Sequence, residues 1–454
     1  MNEELDQILI LPSHDDYNQK LEKLREKKAP AGRFSGRDSE TDDVRNILRD
    51  VAEEGPKEKR KYANSDDAVA GFTKDYDGVE LKPEEFRVSK EDLKKAHDEI
   101  DIELLESICQ AIENVRKYQT EIFIGNKKHP GIKYIPIERV GICVPGAAAP
   151  LPSTVIMTAV PAQVAGVKTI VIVSPPRWNG SIHPVTLAVC YELEIDEVYR
   201  IGGAQAVASL AFNKGTIPQV DKIVGPGNKW VQTAKKMVSQ DYVGIDSIAG
   251  PSEVLIIAND KANPGWVAAD MLSQAEHASD SSAIAVTDSE TIAKKILEEL
   301  KNQAGKLSRA EDAKKSLLGF GAILALNNMT EVINLVNEFA AEHLQIQCGD
   351  ESREIADKIK NAGAIFIGDY SPVAVGDYWA GPSHTLPTGG GARFSSALTS
   401  NDFIKSTSII EYDKKELAES ADDIIRLAEA EGLDAHAKSI KIRQGPRKAG
   451  TQQD

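Results

Sequence analysis

The sequence lacks long apolar runs and an export signal, the two features that mark membrane and secreted proteins. No apolar run approaches the ~18–20 residues that a membrane-spanning helix needs. The first ten residues carry three carboxylates, Glu3, Glu4 and Asp6, and no basic side chain. Because a secretory signal begins with a basic segment, this N-terminus does not resemble one. We therefore expect a cytoplasmic protein with no membrane partner.

Paired cysteines and an excess of basic residues are also missing. The four cysteines, Cys109, Cys143, Cys190 and Cys348, are far apart and form no CxxC pair. Their spacing supports neither a disulfide framework nor a zinc site built from thiolates. Lys and Arg total 54 against 70 Asp and Glu, which gives a formal net charge of −16. Since an acidic surface repels phosphate backbones, we expect no nucleic-acid partner.

What the sequence does contain is a regular alternation of strand and helix patterns after residue 138. Short apolar runs bounded by turn residues predict nine buried strands, at 139–144, 169–174, 198–201, 222–224, 253–258, 283–287, 322–326, 344–347 and 364–367. Buried strands separated by helices form parallel sheets. The 454 residues also exceed the ~250–300 at which a single core stops growing. We predict an α/β fold with two doubly wound, incomplete Rossmann-like parallel-sheet domains and small helical N- and C-terminal extensions.

The helices predicted between these strands follow the same alternation. They are expected at 153–167, 183–193, 204–213, 229–240, 264–278, 289–307, 330–341 and 352–361. Outside the alternating region, helical patterns occur at 42–54, 90–117 and 414–430. The glycine, proline and charged residues of 55–80 instead indicate an exposed loop or a ragged helix.

Three of the predicted strand-to-helix turns are rich in glycine. They read Val-Pro-Gly at 144–146, Gly-Gly-Ala-Gln at 202–205 and Gly-Pro-Gly-Asn at 225–228. Glycine allows main-chain N–H groups to approach a ligand, and a helix N-terminus attracts anions. Such turns lie at the carboxyl ends of the strands, where nucleotides bind in open α/β sheets. Tight turns need the same glycines, and both the complete GxGxxG fingerprint and the P-loop are absent. Nucleotide binding and turn geometry therefore remain two interpretations.

Two pairs of polar side chains lie at predicted helix ends. Gln274 and His277 are three residues apart, so they share a helix face and could hold a metal, although an ordinary helix end has the same pattern. Glu342 and His343 are adjacent where a helix leads into a strand. The carboxylate could orient the imidazole and raise its basicity for general-base catalysis. A histidine that interacts with the helix dipole would have the same position.

Two further histidines have carboxylates nearby in the sequence. Asp377 precedes His384 in a loop segment that contains several glycines and prolines, which is poor material for a core. Glu431 and His436 lie five residues apart in a polar C-terminal segment that could equally be a solvated helix. Imidazoles combined with Gln and Asp oxygens suit Zn²⁺ or Mn²⁺, but scattered ligands cannot be assembled from spacing alone.

Taken together, these motifs resemble the histidinol dehydrogenase family over about residues 139–436. The resemblance is carried in order by the segments 202–206, 225–228, 249–254, 273–277, 341–344, 376–378 and 384–387, and by the five-residue spacing of Glu431 and His436. The segment before residue 130 matches only loosely. The resemblance implies NAD-dependent and zinc-dependent oxidation of L-histidinol to L-histidine, in two hydride transfers through an enzyme-held histidinal.

The resemblance also implies roles for individual residues. His343 would accept protons during both oxidations, and Glu342 would activate the water that attacks the aldehyde. The implied zinc ligands, which also belong to the substrate site, are Gln274, His277, Asp377 and His436. The substrate site would further contain Ser252, His343, His384 and Glu431. The implied NAD contacts are Cys143, Gln205 and Asn228.

The resemblance finally implies a homodimer in which the tail of one subunit reaches the site of the other. Glu431 and His436 would then serve the partner's site. The domains expected on this basis are an N-terminal helical extension (1–38), a discontinuous α/β domain with the catalytic and metal residues (39–139 plus 254–398), an NAD-side α/β domain (140–253) and a C-terminal helical tail (399–454).

One residue departs from the family pattern, and two alternative functions remain. Cys143 stands where the family commonly has a tyrosine near the nucleotide, and a thiol neither stacks on a ring nor donates a phenolic hydrogen bond. We therefore expect weaker or repositioned NAD binding. A sister dehydrogenase could act on another polar alcohol, such as a sulfonated diol, but a sulfonate calls for Arg or Lys rather than His384 and Glu431. A non-catalytic binding protein would be expected to lack Glu342, His343 or a metal ligand, and none is lost.

Overall fold

A computed structural model describes residues 4–28, 39–146, 150–212, 214–239, 241–247 and 250–444. The chain divides into two compact units, the first from Met1–Gly125 and Pro136–Ile404 and the second from Asn126–Ile135 and Lys405–Asp454. Within the described ranges, no helix has the length and apolar character needed to cross a bilayer.

The secondary structure follows the predicted alternation. The strands are β1 (Leu9–Ile10), β2 (Ile132–Pro136), β3 (Arg139–Cys143), β4 (Thr169–Val173), β5 (Glu197–Tyr199), β6 (Lys222–Val224), β7 (Gly244–Ile245), β8 (Glu253–Ala258), β9 (Ser282–Thr287), β10 (Ala322–Ala325), β11 (His343–Gln347), β12 (Ala364–Ile367) and β13 (Ile404–Ser408). The helices are α1 (Tyr17–Lys28), α2 (Ser39–Val51), α3 (Ser65–Asp77), α4 (Lys90–Asp98), α5 (Ile102–Ile122), α6 (Pro152–Val164), α7 (Pro184–Glu192), α8 (Gly203–Ala211), α9 (Lys229–Val238), α10 (Pro264–Ala275), α11 (Glu290–Ala304), α12 (Ala310–Phe320), α13 (Met329–Phe339), α14 (Ser352–Ala356), α15 (Val373–Tyr378), α16 (Lys414–Ala430) and α17 (Asp434–Gln444).

The first unit contains two sheets whose strands all pair in parallel. The five-stranded sheet has the order β5-β4-β3-β6-β7, and the six-stranded sheet has the order β1-β10-β9-β8-β11-β12. In each, the chain moves outward from a central strand and then returns to that strand's other side. The switch points therefore lie between β3 and β6 and between β8 and β11. Two doubly wound parallel sheets confirm the predicted fold class.

Both faces of each sheet are buried, which explains the continuous apolar runs. On β8, Val254 and Ile256 pack into one core cluster, whereas Leu255 and Ile257 pack into the cluster on the opposite face. Burying one such side chain contributes about 1.5–3 kcal/mol relative to leaving it exposed. Helices on both faces provide this cover, as expected for a parallel sheet.

The N-terminal region differs from the sequence prediction in two places. The single helix predicted at 90–117 is wrong, because the chain breaks after α4 and starts again at α5. Asp101 caps the new helix by accepting a hydrogen bond from the Leu104 N–H at 2.9 Å. The segment 55–80, predicted as an exposed loop or a ragged helix, contains the regular helix α3, which Asn64 caps through the Asp67 N–H at 2.9 Å. Both caps satisfy amides that a helix start leaves unpaired.

Further elements were mispredicted or missed, and those that the sequence pattern did not predict include β2, β7, β13 and α15. The helix predicted at 352–361 ends at Ala356, and α12 was not predicted at all. β1 was also missed; it pairs with β10 and adds an edge strand to the six-stranded sheet. A strand of two residues is too short to show a period, so the sequence pattern could not reveal it.

The second unit is built from β2 paired with β13 and from two packed helices, α16 and α17. The helix predicted at 414–430 is confirmed, and Asp413 forms a capping box with Glu416 at its start. Its small core contains Ile425, Ala428 and Ala437. This unit carries the polar tail singled out in the sequence.

Candidate active site

The adjacent acid and imidazole of the sequence lie at the amino end of β11, next to the amino end of β8. The His343 Nδ1 atom lies 2.9 Å from the main-chain oxygen of Glu253. The N–H of Glu253 donates to Glu342 Oε2 at 2.7 Å. Glu342 and His343 are each only 5% exposed. The first residue of β8 therefore fixes the orientation of both side chains.

The two ring nitrogens of His343 have different surroundings. Because a carbonyl oxygen only accepts, the contact with Glu253 assigns the N–H of the neutral ring to Nδ1. Nε2 then carries the lone pair; it is buried and has no hydrogen-bond partner among the described residues. It lies 3.9 Å from Asp377 Oδ1. A buried basic nitrogen of this kind is suited to accept a proton from a bound molecule.

Charge and burial both act on this pair. Burial disfavours the imidazolium, but the Glu342 carboxylate, 3.4 Å from Nδ1, outweighs it and raises the pKa of His343 to about 9. Burial also raises the pKa of Glu342, against the opposing effect of His343. The pair therefore holds a proton more tightly than either group would in water. Adjacent groups that share a proton in this way can act in successive proton transfers.

Asp377 lies near two imidazoles, that of His343 and that of His384. His384 Nδ1 lies 3.9 Å from Asp377 Oδ1, the same oxygen that faces His343. Burial lowers the pKa of His384, and the negative charge of Asp377 opposes that change. His277, beyond the end of α10, is near enough to contribute to the lowering of the pKa of His384. The site thus combines α10, α15, β11 and the loop after α15.

Gln274 and His277 lie at the end of α10, but not as the sequence suggested. The helix ends at Ala275, so the prediction that His277 lies within it is wrong. His277 is exposed, and its Nδ1 atom lies 2.9 Å from the main-chain oxygen of Ser273. Gln274 is only 1% exposed, and within the described ranges neither atom of its amide has a partner. A buried amide without partners costs free energy unless a ligand completes it.

These side chains fit a metal with mixed nitrogen and oxygen ligands. The unpartnered Gln274 oxygen, the His277 imidazole and the Asp377 carboxylate are donors that Zn²⁺ accepts. In the described part of the chain, no three His, Cys, Asp or Glu side chains come close enough together to hold a metal. Of the implied zinc ligands, His277 and Asp377 are the two of these residue types that belong to the first unit. A complete site therefore needs a further ligand.

The sequence did not reveal a polar network that ties α10 to β11. Asp270, one turn before Gln274, accepts hydrogen bonds from Gln345 Nε2 at 3.0 Å and Gln347 Nε2 at 2.6 Å. Burial raises the pKa of Asp270, and these two bonds oppose the rise. Gln345 and Gln347 share one face of β11 with His343, because side chains at every second position point the same way. Polar residues at every second position of a buried strand were the signal that could have predicted this network.

The predicted nucleotide contacts lie at the other sheet's carboxyl edge. Gln205 is 1% exposed, and its amide has no hydrogen-bond partner among the residues described. Asn228 is exposed and caps α9, since its Oδ1 accepts from the N–H groups of Trp230 and Val231 at 3.2 Å each. Cys143 ends β3 beside the switch point. Its thiol is buried, and burial raises its pKa to about 12.

The remaining predicted residues lie on neighbouring segments or in the other unit. Ser252 directly precedes β8, and its main-chain oxygen accepts a hydrogen bond from the Ser282 N–H at 2.9 Å. Glu431 and His436 belong to the second unit and are exposed. The structure brings together Glu342, His343, Asp377 and His384.

Two doubly wound parallel sheets, glycine turns at one switch point and a buried acid–imidazole pair at the other define an oxidoreductase of the α/β class. The model of the histidinol dehydrogenase family matches residues 34–444. Histidinol dehydrogenase of Rhodopirellula baltica is 44% identical over 452 residues, with 95% of each chain covered. That of Oceanobacillus iheyensis is 48% identical over 386 residues, with 84% of this chain and 90% of the relative covered.

A solved structure agrees with these sequence matches. The crystal structure of histidinol dehydrogenase from Elizabethkingia anophelis aligns with a TM-score of 0.84 and 34% identity, covering 96% of this chain and 97% of that one. The chain belongs to the histidinol dehydrogenase family. The family and the enzyme class expected from the sequence motifs are both confirmed.

Proposed function

We propose that this protein oxidises L-histidinol to L-histidine with NAD, as the last step of histidine biosynthesis, and that it depends on zinc. The observation that carries the proposal is the buried Glu342–His343 pair, whose free Nε2 faces Asp377. Membership of the histidinol dehydrogenase family supports the substrate and the reaction class. NAD supplies the hydride acceptor, which no side chain can replace.

In the first oxidation, the neutral form of His343, which is favoured above its pKa of about 9, accepts the proton of the alcohol. Its Nε2 takes the hydroxyl proton while the carbon-bound hydrogen leaves as hydride, which converts the alcohol to histidinal. The Glu253 carbonyl holds the ring through Nδ1 during this transfer. Glu342 stabilises the imidazolium that forms, because its carboxylate lies 3.4 Å from Nδ1.

In the second oxidation, Glu342 and His343 act in turn. Glu342 removes a proton from water, whose oxygen adds to the aldehyde carbon. The imidazolium left by the first oxidation returns its proton to the aldehyde oxygen, which gives a hydrate and neutral His343. His343 then takes a hydroxyl proton of the hydrate while the second hydride leaves, and the carboxylic acid that forms loses its remaining proton to solvent and becomes the carboxylate. A raised pKa suits Glu342 to this role, since a stronger base removes the proton of water more readily.

The substrate and metal site would surround this pair. Zinc would be held by Gln274, His277, Asp377 and His436 of the partner subunit. When bound, the ion orients the amino and imidazole nitrogens of histidinol and adds electrostatic stabilisation. The other residues proposed to line the substrate site are Ser252, His384 and Glu431. The unpartnered amide of Gln274 supports this assignment.

NAD would bind at the carboxyl edge of the five-stranded sheet. The buried, unpartnered amide of Gln205 and the exposed position of Asn228 support contacts there. The switch point beside β3 and β6 is where nucleotides bind in doubly wound sheets. The buried thiol of Cys143 presents no aromatic ring and no phenolic donor, which supports weaker or repositioned nucleotide binding at that residue. The division into a catalytic domain (39–139 plus 254–398) and an NAD-side domain (140–253) follows from this proposal.

We further propose a cytoplasmic homodimer. Ile410, Leu427 and Ile442 of the second unit are 84%, 68% and 73% exposed. Apolar side chains this exposed on a small unit favour burial against another chain. Such an arrangement would give the exposed Glu431 and His436 a site to complete in the partner.

NADH formation by the purified protein tests the proposal. With NAD and L-histidinol we expect about two NADH per histidinol, one for each hydride transfer. Chelation should abolish the activity and zinc should restore it. Absence of NADH from zinc-containing protein would contradict the proposed substrate. Activity on a sulfonated diol would then favour the alternative, a zinc-dependent and NAD-dependent dehydrogenase of the same fold.

A further inference from the structure

Next to the five-stranded sheet lies a buried ion pair that the proposed reaction does not use. Lys235 lies on α9, and Asp246 follows β7. Their side chains are 0% and 3% exposed, and they form a salt bridge between Nζ and Oδ1. Burying two charges costs several kcal/mol per ion before their attraction is counted. A pair this deeply buried therefore needs an explanation other than surface solubility.

Both members of the pair bind the same residue of the 225–228 turn. The Gly225 N–H donates to Asp246 Oδ2 at 2.7 Å. The Gly225 oxygen accepts from Lys235 Nζ at 2.8 Å. The carboxylate thus holds the main-chain donor of Gly225, and the ammonium holds its main-chain acceptor. Rotation of either peptide plane would break one of these charged hydrogen bonds.

Gly225 is also confined by packing. Its φ is +103°, and a Cβ atom at this position would lie 2.4 Å from the Cys143 oxygen. The turn is therefore pressed against the end of β3, at the switch point. Because both polar main-chain groups of Gly225 are already occupied, a ligand at this edge meets the residues that follow, among them Asn228.

We propose that Lys235 and Asp246 are positioning residues that hold the 225–228 turn in the shape required by the dinucleotide. This inference rests on the proposed function. A buried pair is often no more stabilising than apolar side chains of similar volume. Its benefit here is a single main-chain conformation, which spares the bound nucleotide the cost of ordering the turn.

A double substitution tests the role without leaving one charge buried alone. Lys235→Met with Asp246→Leu removes both charges at similar volume. The matched control is Arg139→Met with Glu197→Leu, which removes the ion pair at the opposite, amino edge of the same sheet. Calorimetric titration of the full chain should show NAD binding weakened about tenfold in the first variant and less than about twofold in the control.

The histidinol site gives the selectivity test. At saturating NAD, the KM for histidinol and kcat should change less than about threefold in the Lys235/Asp246 variant, while the KM for NAD rises about tenfold. Equal losses for both ligands would overturn a role confined to the nucleotide edge. Unchanged NAD affinity in a variant that melts normally would overturn the proposal outright.

Hydrogen exchange supplies a readout that needs no ligand. Main-chain amides at 227–231 should exchange faster in the double variant than in the wild type, while those at 202–206 on the neighbouring turn should not. Should the double variant fail to fold, Asp246→Asn tests the same turn, because it keeps an acceptor for Gly225 and removes the charge. Unchanged exchange at 227–231 would show that Lys235 and Asp246 do not hold the turn, whereas failure of the wild type to bind NAD would refute the proposed function.

Discussion

The two sheets of the first unit have the same central strand order but present their notable side chains at opposite edges. In the five-stranded sheet the glycine turns follow the carboxyl ends of β3, β5 and β6. In the six-stranded sheet Glu342 and His343 lie at the amino ends of the strands that flank the switch point. Topology therefore locates a nucleotide edge by a general rule. It does not locate the acid–imidazole pair.

The segment between β7 and β8 connects opposite edges of the two sheets. The chain leaves the carboxyl end of β7 at residue 245 and enters the amino end of β8 at residue 253. This short link starts with Asp246, which binds the glycine turn, and leads into Glu253, the first residue of β8, which binds the acid–imidazole pair. Opposite edges of the two sheets are thus connected by seven residues, 246–252.

The largest effect is expected at the amino edge of the six-stranded sheet. His343→Ala removes the proposed proton acceptor, so turnover should fall about 10²–10⁴-fold. Bound zinc, measured by metal analysis, should stay at the wild-type level. His97→Ala is the control, because His97 also contacts a carboxylate, that of Glu192 at 2.9 Å. Near-normal NADH production by the His343 variant would remove it from the mechanism.

Glu342→Gln should impair the second oxidation more than the first. The amide can still accept from the Glu253 N–H, so the local geometry is retained. It cannot accept a proton from water, and the rate of the second hydride transfer should fall about 100-fold. A single-turnover assay should then show histidinal accumulating. Glu192→Gln is the matched control, and equal loss in both oxidations would argue against the role in water activation.

Substitution of Gln274 separates metal binding from proton transfer. Gln274→Leu keeps the buried volume and removes the unpartnered amide, so zinc affinity should fall about tenfold or more in a chelator competition assay. Gln110→Leu, on the exposed side of α5, should leave it unchanged. His436→Ala should also lower zinc content, and full occupancy in that variant would exclude His436 as a ligand.

A glycine substitution tests the opposite edge. Gly225→Ala places a Cβ atom 2.4 Å from the Cys143 oxygen at a positive φ, and should cost about 1–3 kcal/mol of stability. NAD affinity should fall while zinc binding is unaffected. Gly244→Ala on β7 is the control, since its nearest neighbour would lie 3.4 Å away. If both variants bind NAD equally well, the 225–228 turn is not a nucleotide contact.

The smallest effect is expected at Cys143. Its thiol is buried, so Cys143→Ala should change NAD affinity less than twofold and lower the stability by only about 1 kcal/mol. Fluorescence titration with NADH and thermal unfolding measure the two quantities. A large loss of affinity would show that the thiol itself contacts the nucleotide.

Some features of this protein were determined by the sequence itself. The apolar runs of β3, β8 and β11 predicted buried parallel strands, because burial on both faces leaves a continuous pattern. Glu342 and His343 are neighbours through a peptide bond, so their pairing could be predicted before any fold was known. The start of α5 could not be predicted from the sequence, because a capping residue such as Asp101 has the same side chain as any exposed aspartate.

Other features were decided only by the tertiary structure. The contact of His343 with Asp377 joins residues 34 positions apart, and that of Asp270 with Gln347 joins residues 77 apart. Spacing along the chain carries no information about such contacts, because they arise when helices pack on sheets. The sequence also could not predict that the two sheets present their notable side chains at opposite edges. A strand's sequence shows its burial but not which of its ends lies near another sheet. Local patterns therefore determined the elements and the reacting pair, whereas packing decided which distant side chains complete the site.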